Sequence, residues 1–269
     1  MPYKLIAVDV DGTLLDSKMN LTPETIKAIR EAVAAGKIFT ICTGRPIQGV
    51  EPIIEKIGLD LPFITYNGAM IILGKSRRIL YAKTMRGEDV RSVYQLGQKL
   101  KTTTILWVNN QFYATPLSQN ATDYGKLSRT QPLPIDNLDH LISQGVTKVL
   151  FYDVPETIEH WAQTVGPQVP STVNYCTSQP FLLEFFDLEV SKAHALALLG
   201  AHYGLTREEM IAIGDGQNDL SMIRYAGLGV AMANADPSIQ EAADYVTLSN
   251  DQNGVAHVIY RFCLNEPAV

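Results

Sequence analysis

Apolar positions at the start of the chain predict a strand followed by a helix. The run Leu5–Val8 is uninterrupted, as in a strand buried on both faces. Beyond a polar stretch, Ile26, Ile29 and Val33 recur at the spacing of one helix face, and Thr22 is a good residue to cap that helix. The chain therefore opens on a buried strand and an amphipathic helix.

The same alternation continues over the next forty residues. Lys37–Cys42 predicts a second buried strand, and Pro62–Ala69 predicts a third. Between them, apolar residues at helical spacing predict a helix closed by a glycine: Ile47, Val50, Ile54, Ile57 and Gly58. Strands that alternate with helices indicate an α/β fold built on a Rossmann-like, doubly wound parallel sheet.

The pattern changes in the middle of the chain. Residues 70–83 and 105–115 predict hairpins, and residues 87–101 predict a helix between them. Residues 147–153 and 181–186 predict further strands, separated by loops rich in Pro and Gln. Strands and helices no longer alternate here, so an inserted α+β domain is expected.

The strand–helix alternation returns after Asp187. The predicted elements are a helix at 191–204, a strand from 210, a helix at 220–227, a strand at 228–232, a helix at 237–243, a strand at 244–247 and a helix at 254–262. We therefore predict that residues 1–83 and 188–269 form one Rossmann-like core. Residues 84–187 would form the inserted domain.

The composition of the chain limits which partners the protein is expected to bind and where in the cell it is expected to lie. The chain has 269 residues and a formal net charge of −6, with no run of Lys and Arg to offset it, so nucleic acid would be repelled. No apolar run reaches the roughly 18 residues of a membrane span. The three cysteines are widely spaced, and the first residues lack the layout of a secretion signal. We expect a cytoplasmic protein that binds neither nucleic acid nor membrane.

Acidic side chains stand where two predicted core strands end. Asp9 and Asp11 follow the first strand, and Asp215 and Asp219 follow the strand that begins at Met210. Open parallel sheets bind ligands at the carboxyl ends of their strands, so these carboxylates are expected in one small volume. They would repel one another without a cation between them. Oxygen ligands without Cys or His favour Mg²⁺ over zinc or copper.

Four motifs in fixed order resemble those of the haloacid dehalogenase superfamily of phosphohydrolases. They are DVDGT (Asp9–Thr13), TGR (Thr43–Arg45), Lys192 and GDGQND (Gly214–Asp219). The stretches YNGA and GVAMANA, with a large insert between the second and third motifs, resemble the Cof-type sugar-phosphatase branch. Taken singly, each turn has an ordinary alternative, since Asp-Gly is common in turns and Asp often caps helices. The resemblance implies that the inserted domain is a cap that selects the substrate.

The resemblance also implies a role for each acid. Asp9 would attack phosphorus and form an aspartyl-phosphate. Asp11 would protonate the leaving alkoxide and then take a proton from the hydrolytic water. The implied ligands of Mg²⁺ are the Asp9 carboxylate, the Asp11 backbone carbonyl and Asp215, with Asp219 acting directly or through water.

Further residues are implied to bind the phosphate. Thr43 and the Gly44 amide would hold phosphoryl oxygens, and Lys192 would add positive charge beside Asp9. Asn218 would orient metal ligands or phosphate, with a helix cap as the alternative.

Three residues have an ordinary structural interpretation beside a role in the site. Arg45 would face the substrate or the cap, or else be a solvated charge. Asn67, next to Gly68, would shape the entrance to the site, or else only form a turn. Cys42 is expected to be a small buried hydrophobe, although it precedes Thr43 and so suggests a thiol mechanism.

These features predict a Mg²⁺-dependent phosphohydrolase acting on a small phosphorylated metabolite, such as a sugar phosphate, through an aspartyl-phosphate. One alternative is a phosphomutase of the same architecture, which would return phosphate to the sugar. Another is a non-catalytic protein that binds a phosphate ligand; such a protein should lack an essential group, and this chain keeps them all. The sequence leaves the physiological substrate open, and a monomer and a homodimer both fit it.

Overall fold

The computed structural model describes residues 3–264, apart from the side chain of Lys75. In chain order, its strands and helices are β1 (Leu5–Val8), α1 (Pro23–Ala34), β2 (Ile38–Cys42), α2 (Ile47–Ile57), β3 (Phe63–Thr65), β4 (Met70–Leu73), β5 (Arg78–Ala82), α3 (Gly87–Leu100), β6 (Thr103–Val108), β7 (Gln111–Thr115), α4 (Gln119–Ser128), β8 (Leu133–Pro134), α5 (Leu138–Gln144), β9 (Val146–Tyr152), α6 (Pro155–Thr164), β10 (Val173–Gln179), β11 (Leu182–Asp187), α7 (Lys192–His202), β12 (Met210–Gly214), α8 (Leu220–Tyr225), β13 (Leu228–Ala231), α9 (Pro237–Glu241), β14 (Tyr245–Val246) and α10 (Gly254–Ile259). Short 3-10 and π-helical turns lie between several of them.

The chain divides into two compact units. The first takes Met1–Gly44, Val50–Tyr81 and Ser191–Val269, and the second takes Arg45–Gly49 and Ala82–Val190.

The first unit is built on a mixed sheet with the order β14-β13-β12-β1-β2-β3-β4-β5. From β14 to β3 the neighbouring strands run parallel, and β4 returns antiparallel to β3. On one face, Leu5 and Ala7 of β1 pack in a buried cluster with Leu196 of α7 and Met222 of α8. The predicted α/β fold is confirmed.

The register of the central strands positions the site. Val8, the last residue of β1, lies level with Ile41 of β2 and with Ile213 of β12. Because the three strands run parallel, the turns that follow them leave the sheet at the same edge. Asp9 and Thr43 therefore start from neighbouring points.

Local sequence features mark the boundaries of several helices and strands, as predicted. The Oγ1 atom of Thr22 accepts a hydrogen bond from the backbone N–H of Thr25 and so caps α1. Gly58 follows α2 with a φ of +75°, the left-handed conformation that favours glycine. The hairpin of β6 and β7 turns at Asn109 and Asn110, which both have positive φ.

The second unit contains a sheet with the order β10-β11-β9-β6-β7-β8. Its elements correct the sequence analysis, because the expected loops contain helices α4, α5 and α6 and strand β10. Helix α4 has few apolar residues and a glycine at Gly125, so its period is weak. Strand β10 is half-exposed and polar toward its end, and its place is set by pairing with β11.

Within residues 3–264, no helix has the length and apolar character needed to cross a membrane.

Candidate active site

The turn after β1 presents Asp9 and Asp11. It is a tight π-helical turn over Val10–Leu14, interrupted at Gly12, where φ is +75°. A Cβ atom on Gly12 would collide with the Asp215 carboxylate, so only glycine allows the approach of the two turns. The Thr13 hydroxyl donates to Oδ1 of Asp215 at 2.7 Å. These contacts join the first motif to the last.

Lys192 links two of the predicted acids. It is the first residue of α7, whose amino end is capped by the hydroxyl of Ser191. Its Nζ atom donates to Oδ1 of Asp9 at 2.6 Å and to Oδ1 of Asp219 at 2.5 Å. The Lys192 side chain is fully buried. A buried ammonium needs such partners, so Lys192 is not a solvated surface charge.

Both carboxylate oxygens of Asp219 accept hydrogen bonds. Oδ1 accepts from Lys192, and Oδ2 accepts from the backbone N–H groups of Asp215 and Gly216 at 3.1 and 2.9 Å. Asp219 is buried. It therefore holds the lysine and fixes the turn that carries Asp215.

The acids also come close enough to share a cation. Asp9, Asp215 and Asp219 each offer a carboxylate oxygen, and these oxygens lie within 4.8 Å of one another. The donors are all hard oxygen atoms, which fits a divalent cation such as Mg²⁺. Three carboxylates lie around one buried ammonium, so a divalent cation would bring the net charge of the cluster closer to zero.

The electrostatics of the site follow from burial and crowding. Burial and the neighbouring Asp219 raise the pKa of Asp9 well above its usual range, although Lys192 opposes the shift. Burial also raises the pKa of Asp215 to about 6, against the hydrogen bond from Thr13. Burial alone would lower the pKa of Lys192, but Asp219 and Asp9 raise it above its usual range. The lysine stays charged, and the crowded carboxylates are poised to bind positive charge.

Polar residues from three turns meet beside these acids. The backbone N–H of Asn67 donates to the carbonyl oxygen of Thr43 at 3.0 Å. The Asn67 side-chain oxygen accepts from Nδ2 of Asn218 at 3.1 Å. A Cβ atom on Gly44 would lie 2.9 Å from that same oxygen, so Asn67 packs against the Gly44 backbone. Thr43, Gly44, Asn67 and Asn218 are thus brought together.

Asp11 and Arg45 are the two remaining residues predicted at the site. Asp11 is half-buried in the turn after β1, and its charge is among those that raise the pKa of Asp9. Arg45 belongs to the second unit, and its Nη1 atom donates to the carbonyl oxygen of Gly49 at 3.2 Å. Its place at the substrate stays a prediction.

Thr13 is a residue of the site that the sequence analysis did not single out. Its position inside the DVDGT motif was the available indication. Its partner Asp215 is 202 residues away, and no local pattern reveals a hydrogen bond over that separation.

We expect Cys42 to be dispensable for catalysis. It is fully buried, and burial raises the pKa of its thiol to about 12, so no thiolate forms near neutral pH. Cys42→Ala should keep its turnover within about threefold of the unmodified protein, since only a small apolar group is lost. Phosphate-release assays and iodoacetamide labelling of both proteins test this. A loss of turnover in Cys42→Ala as large as that expected on replacing Asp9 would contradict this prediction.

Comparisons with known proteins agree with these motifs. A sequence model of the haloacid dehalogenase-like hydrolases matches residues 6–259. Bacillus subtilis YxeH, provisionally described as a phosphatase, is 35% identical over 97% of this chain and 99% of its own. Bacillus subtilis YcsE, a 5-amino-6-(5-phospho-D-ribitylamino)uracil phosphatase, is 30% identical over 97% and 96%. The structure of BT4131, a subclass IIB sugar phosphatase, matches with a TM-score of 0.83 and 25% identity over 96% and 98%.

Proposed function

Because the chain belongs to the haloacid dehalogenase-like hydrolases, we propose that it is a Mg²⁺-dependent phosphatase of a small phosphorylated metabolite. The observation that carries the proposal is the pairing of Asp9 with Lys192 beside Asp215. A nucleophilic carboxylate must approach a dianionic phosphate ester, and this requires positive charge on both sides of it.

The reaction has two displacements at phosphorus. In the first, a carboxylate oxygen of Asp9 forms a bond to phosphorus while the bond to the leaving alkoxide breaks, and Asp11 gives that alkoxide a proton. In the second, Asp11 takes a proton from water as the water oxygen bonds to phosphorus. The bond between Asp9 and phosphorus then breaks and releases inorganic phosphate.

Lys192 prepares Asp9 for the first displacement. Its hydrogen bond to Oδ1 fixes the rotation of the Asp9 carboxylate, and its charge offsets that of the phosphate. Asp219 holds Lys192 from the other side, so the ammonium keeps its position during the reaction. Thr43 and the Gly44 amide are proposed to hold the phosphoryl oxygens.

The carboxylates of Asp9 and Asp215 and the backbone carbonyl of Asp11 would hold Mg²⁺, with Asp219 acting directly or through water. When bound, the ion supplies the positive charge that lets an anionic nucleophile meet an anionic phosphate. Thr13 orients Asp215 for this role through its hydrogen bond.

The substrate is proposed to be a small phosphate ester, such as a sugar or polyol phosphate. YcsE and BT4131 are named for substrates of this chemical class. The inserted domain, predicted at residues 84–187, would exclude bulk water and select the leaving group. A phosphomutase would use the same acids, and only the acceptor of the phosphoryl group separates the two activities.

Chelation of divalent metal tests this proposal. We expect phosphate release from a panel of sugar, polyol and nucleotide phosphates to fall at least about 100-fold when EDTA replaces Mg²⁺, because the carboxylates then repel the substrate. Added Mg²⁺ in excess should restore the rate. Equal rates with Mg²⁺ and EDTA would contradict the metal assignment, whereas isomerised product without free phosphate would indicate a mutase.

A further inference from the structure

The turn that carries Asp11 is held from outside by a side chain of the GVAMANA motif. Nδ2 of Asn234 donates to the carbonyl oxygen of Gly12 at 2.8 Å. Gly12 lies directly between Asp11 and Thr13 and has a left-handed backbone conformation, with a φ of +75°. The Asn234 amide therefore contacts the peptide next to Asp11 without contacting the acids themselves.

A second asparagine completes the attachment. The backbone N–H of Asn250 donates to Oδ1 of Asn234 at 3.0 Å, and Nδ2 of Asn250 donates to the carbonyl oxygen of Leu15 at 2.9 Å. The turn is thus held at two carbonyls, Gly12 and Leu15, by the side chains of two residues, and the backbone N–H of one of these residues donates to the side chain of the other. We call Asn234 and Asn250 the asparagine clamp.

The chemistry of the clamp explains why an amide is needed at Asn234. This side chain donates to Gly12 and accepts from the Asn250 backbone at the same time, which a carboxylate cannot do. An aspartate at this position would place a negative oxygen against the carbonyl of Gly12. It would still accept from Asn250, so only the contact to the turn would change.

Resting on the proposed function, we infer that the asparagine clamp is a positioning device for Asp11. The Gly12 peptide is fixed on one side by the Thr13–Asp215 hydrogen bond and on the other by Asn234. Releasing one side lets the peptide rotate and moves the Asp11 carboxyl relative to the Asp9 carboxylate. Proton transfer requires hydrogen-bond reach, so this displacement lowers the rate of the chemical step.

The location of the clamp separates this role from general stability. Asn234 is exposed and Asn250 is half-buried, and neither is a member of the buried apolar clusters. Losing one hydrogen bond at such a site has a small effect on folding. A substitution of Asn234 therefore leaves the packing of the buried Phe, Leu and Ile side chains on the sheet unchanged.

The test compares Asn234→Asp with a matched control, Asn253→Asp. Oδ1 of Asn253 accepts from the Thr22 hydroxyl, a role that aspartate keeps, and the control adds the same charge three residues from Asn250. For Asn234→Asp we expect kcat to fall about 10- to 100-fold with KM within about twofold, since positioning rather than substrate binding is lost. Asn253→Asp should keep both parameters.

Hydrogen exchange provides a second readout that does not depend on turnover. Amides of residues 10–16 should exchange faster in Asn234→Asp than in the unmodified protein, while those of β12 should be unchanged. If kcat and amide exchange in Asn234→Asp both equal those of the unmodified protein, the inference is overturned. A fall in kcat in Asn253→Asp as large as that in Asn234→Asp would also overturn it. If the unmodified protein releases no phosphate, the proposed function fails, and the exchange result alone decides whether the clamp holds the turn.

Discussion

Asp9→Asn should abolish phosphate release, with a fall in kcat of at least about 10⁴-fold. The neutral amide is a poor nucleophile and cannot form the aspartyl-phosphate, so little beyond substrate binding survives. Two measurements check this: inorganic phosphate release under saturating substrate, and mass spectrometry of the quenched unmodified enzyme. The second should show one phosphoryl group on the peptide that contains Asp9.

Asp16→Asn is the matched control for this substitution. Asp16 lies seven residues further along the same connection, and its Oδ1 accepts from the backbone N–H groups of Lys18 and Asn20. Asparagine keeps that acceptor, so the rate should stay within about threefold of the unmodified protein. Turnover that survives in Asp9→Asn, or a phosphoryl group found on another residue, would contradict the assignment of the nucleophile.

Lys148→Met should strongly destabilise the second unit. Nζ of Lys148 donates to Oε2 of Glu184 at 2.9 Å between the adjacent strands β9 and β11, and the two side chains are 2% and 3% exposed. Removing the lysine leaves the buried Glu184 carboxylate without this charged partner, although the Ser178 hydroxyl still donates to its Oε1 atom at 2.7 Å. Such a loss costs about 3–5 kcal/mol of unfolding free energy.

The double variant Lys148→Met, Glu184→Leu separates charge from packing. With both charges gone, the free energy of unfolding should return to within about 2 kcal/mol of the value of the unmodified protein.

Tryptophan fluorescence during urea unfolding suits this measurement, since the two tryptophans of the chain, Trp107 and Trp161, both lie in the second unit. The exposed pair of Arg91 and Asp139 is the control, and Arg91→Met should change stability by less than about 1 kcal/mol. A double variant as unstable as Lys148→Met would contradict the charge argument.

The fold of the first unit was largely predictable because its elements are set by local pattern. Buried parallel strands require continuous apolar runs, and helices on a sheet require an apolar face, so both leave a periodic trace. Caps such as Thr22 and Gly58 mark the ends through their own backbone chemistry. In the second unit this trace is weaker: β10 is half-exposed and becomes a strand through its partner β11.

The motifs by themselves indicated the family and predicted the acids of the candidate site, because an open parallel sheet binds its ligands at the carboxyl ends of its strands. Tertiary structure alone decided which atoms meet. Lys192 binds Asp9 across 183 residues, and Asn234 reaches Gly12 across 222. Hydrogen bonds act over about 3 Å regardless of distance along the chain, so they depend on the sheet register that brings the turns together. The sequence names the residues, and the packing of β1 between β2 and β12 sets their geometry.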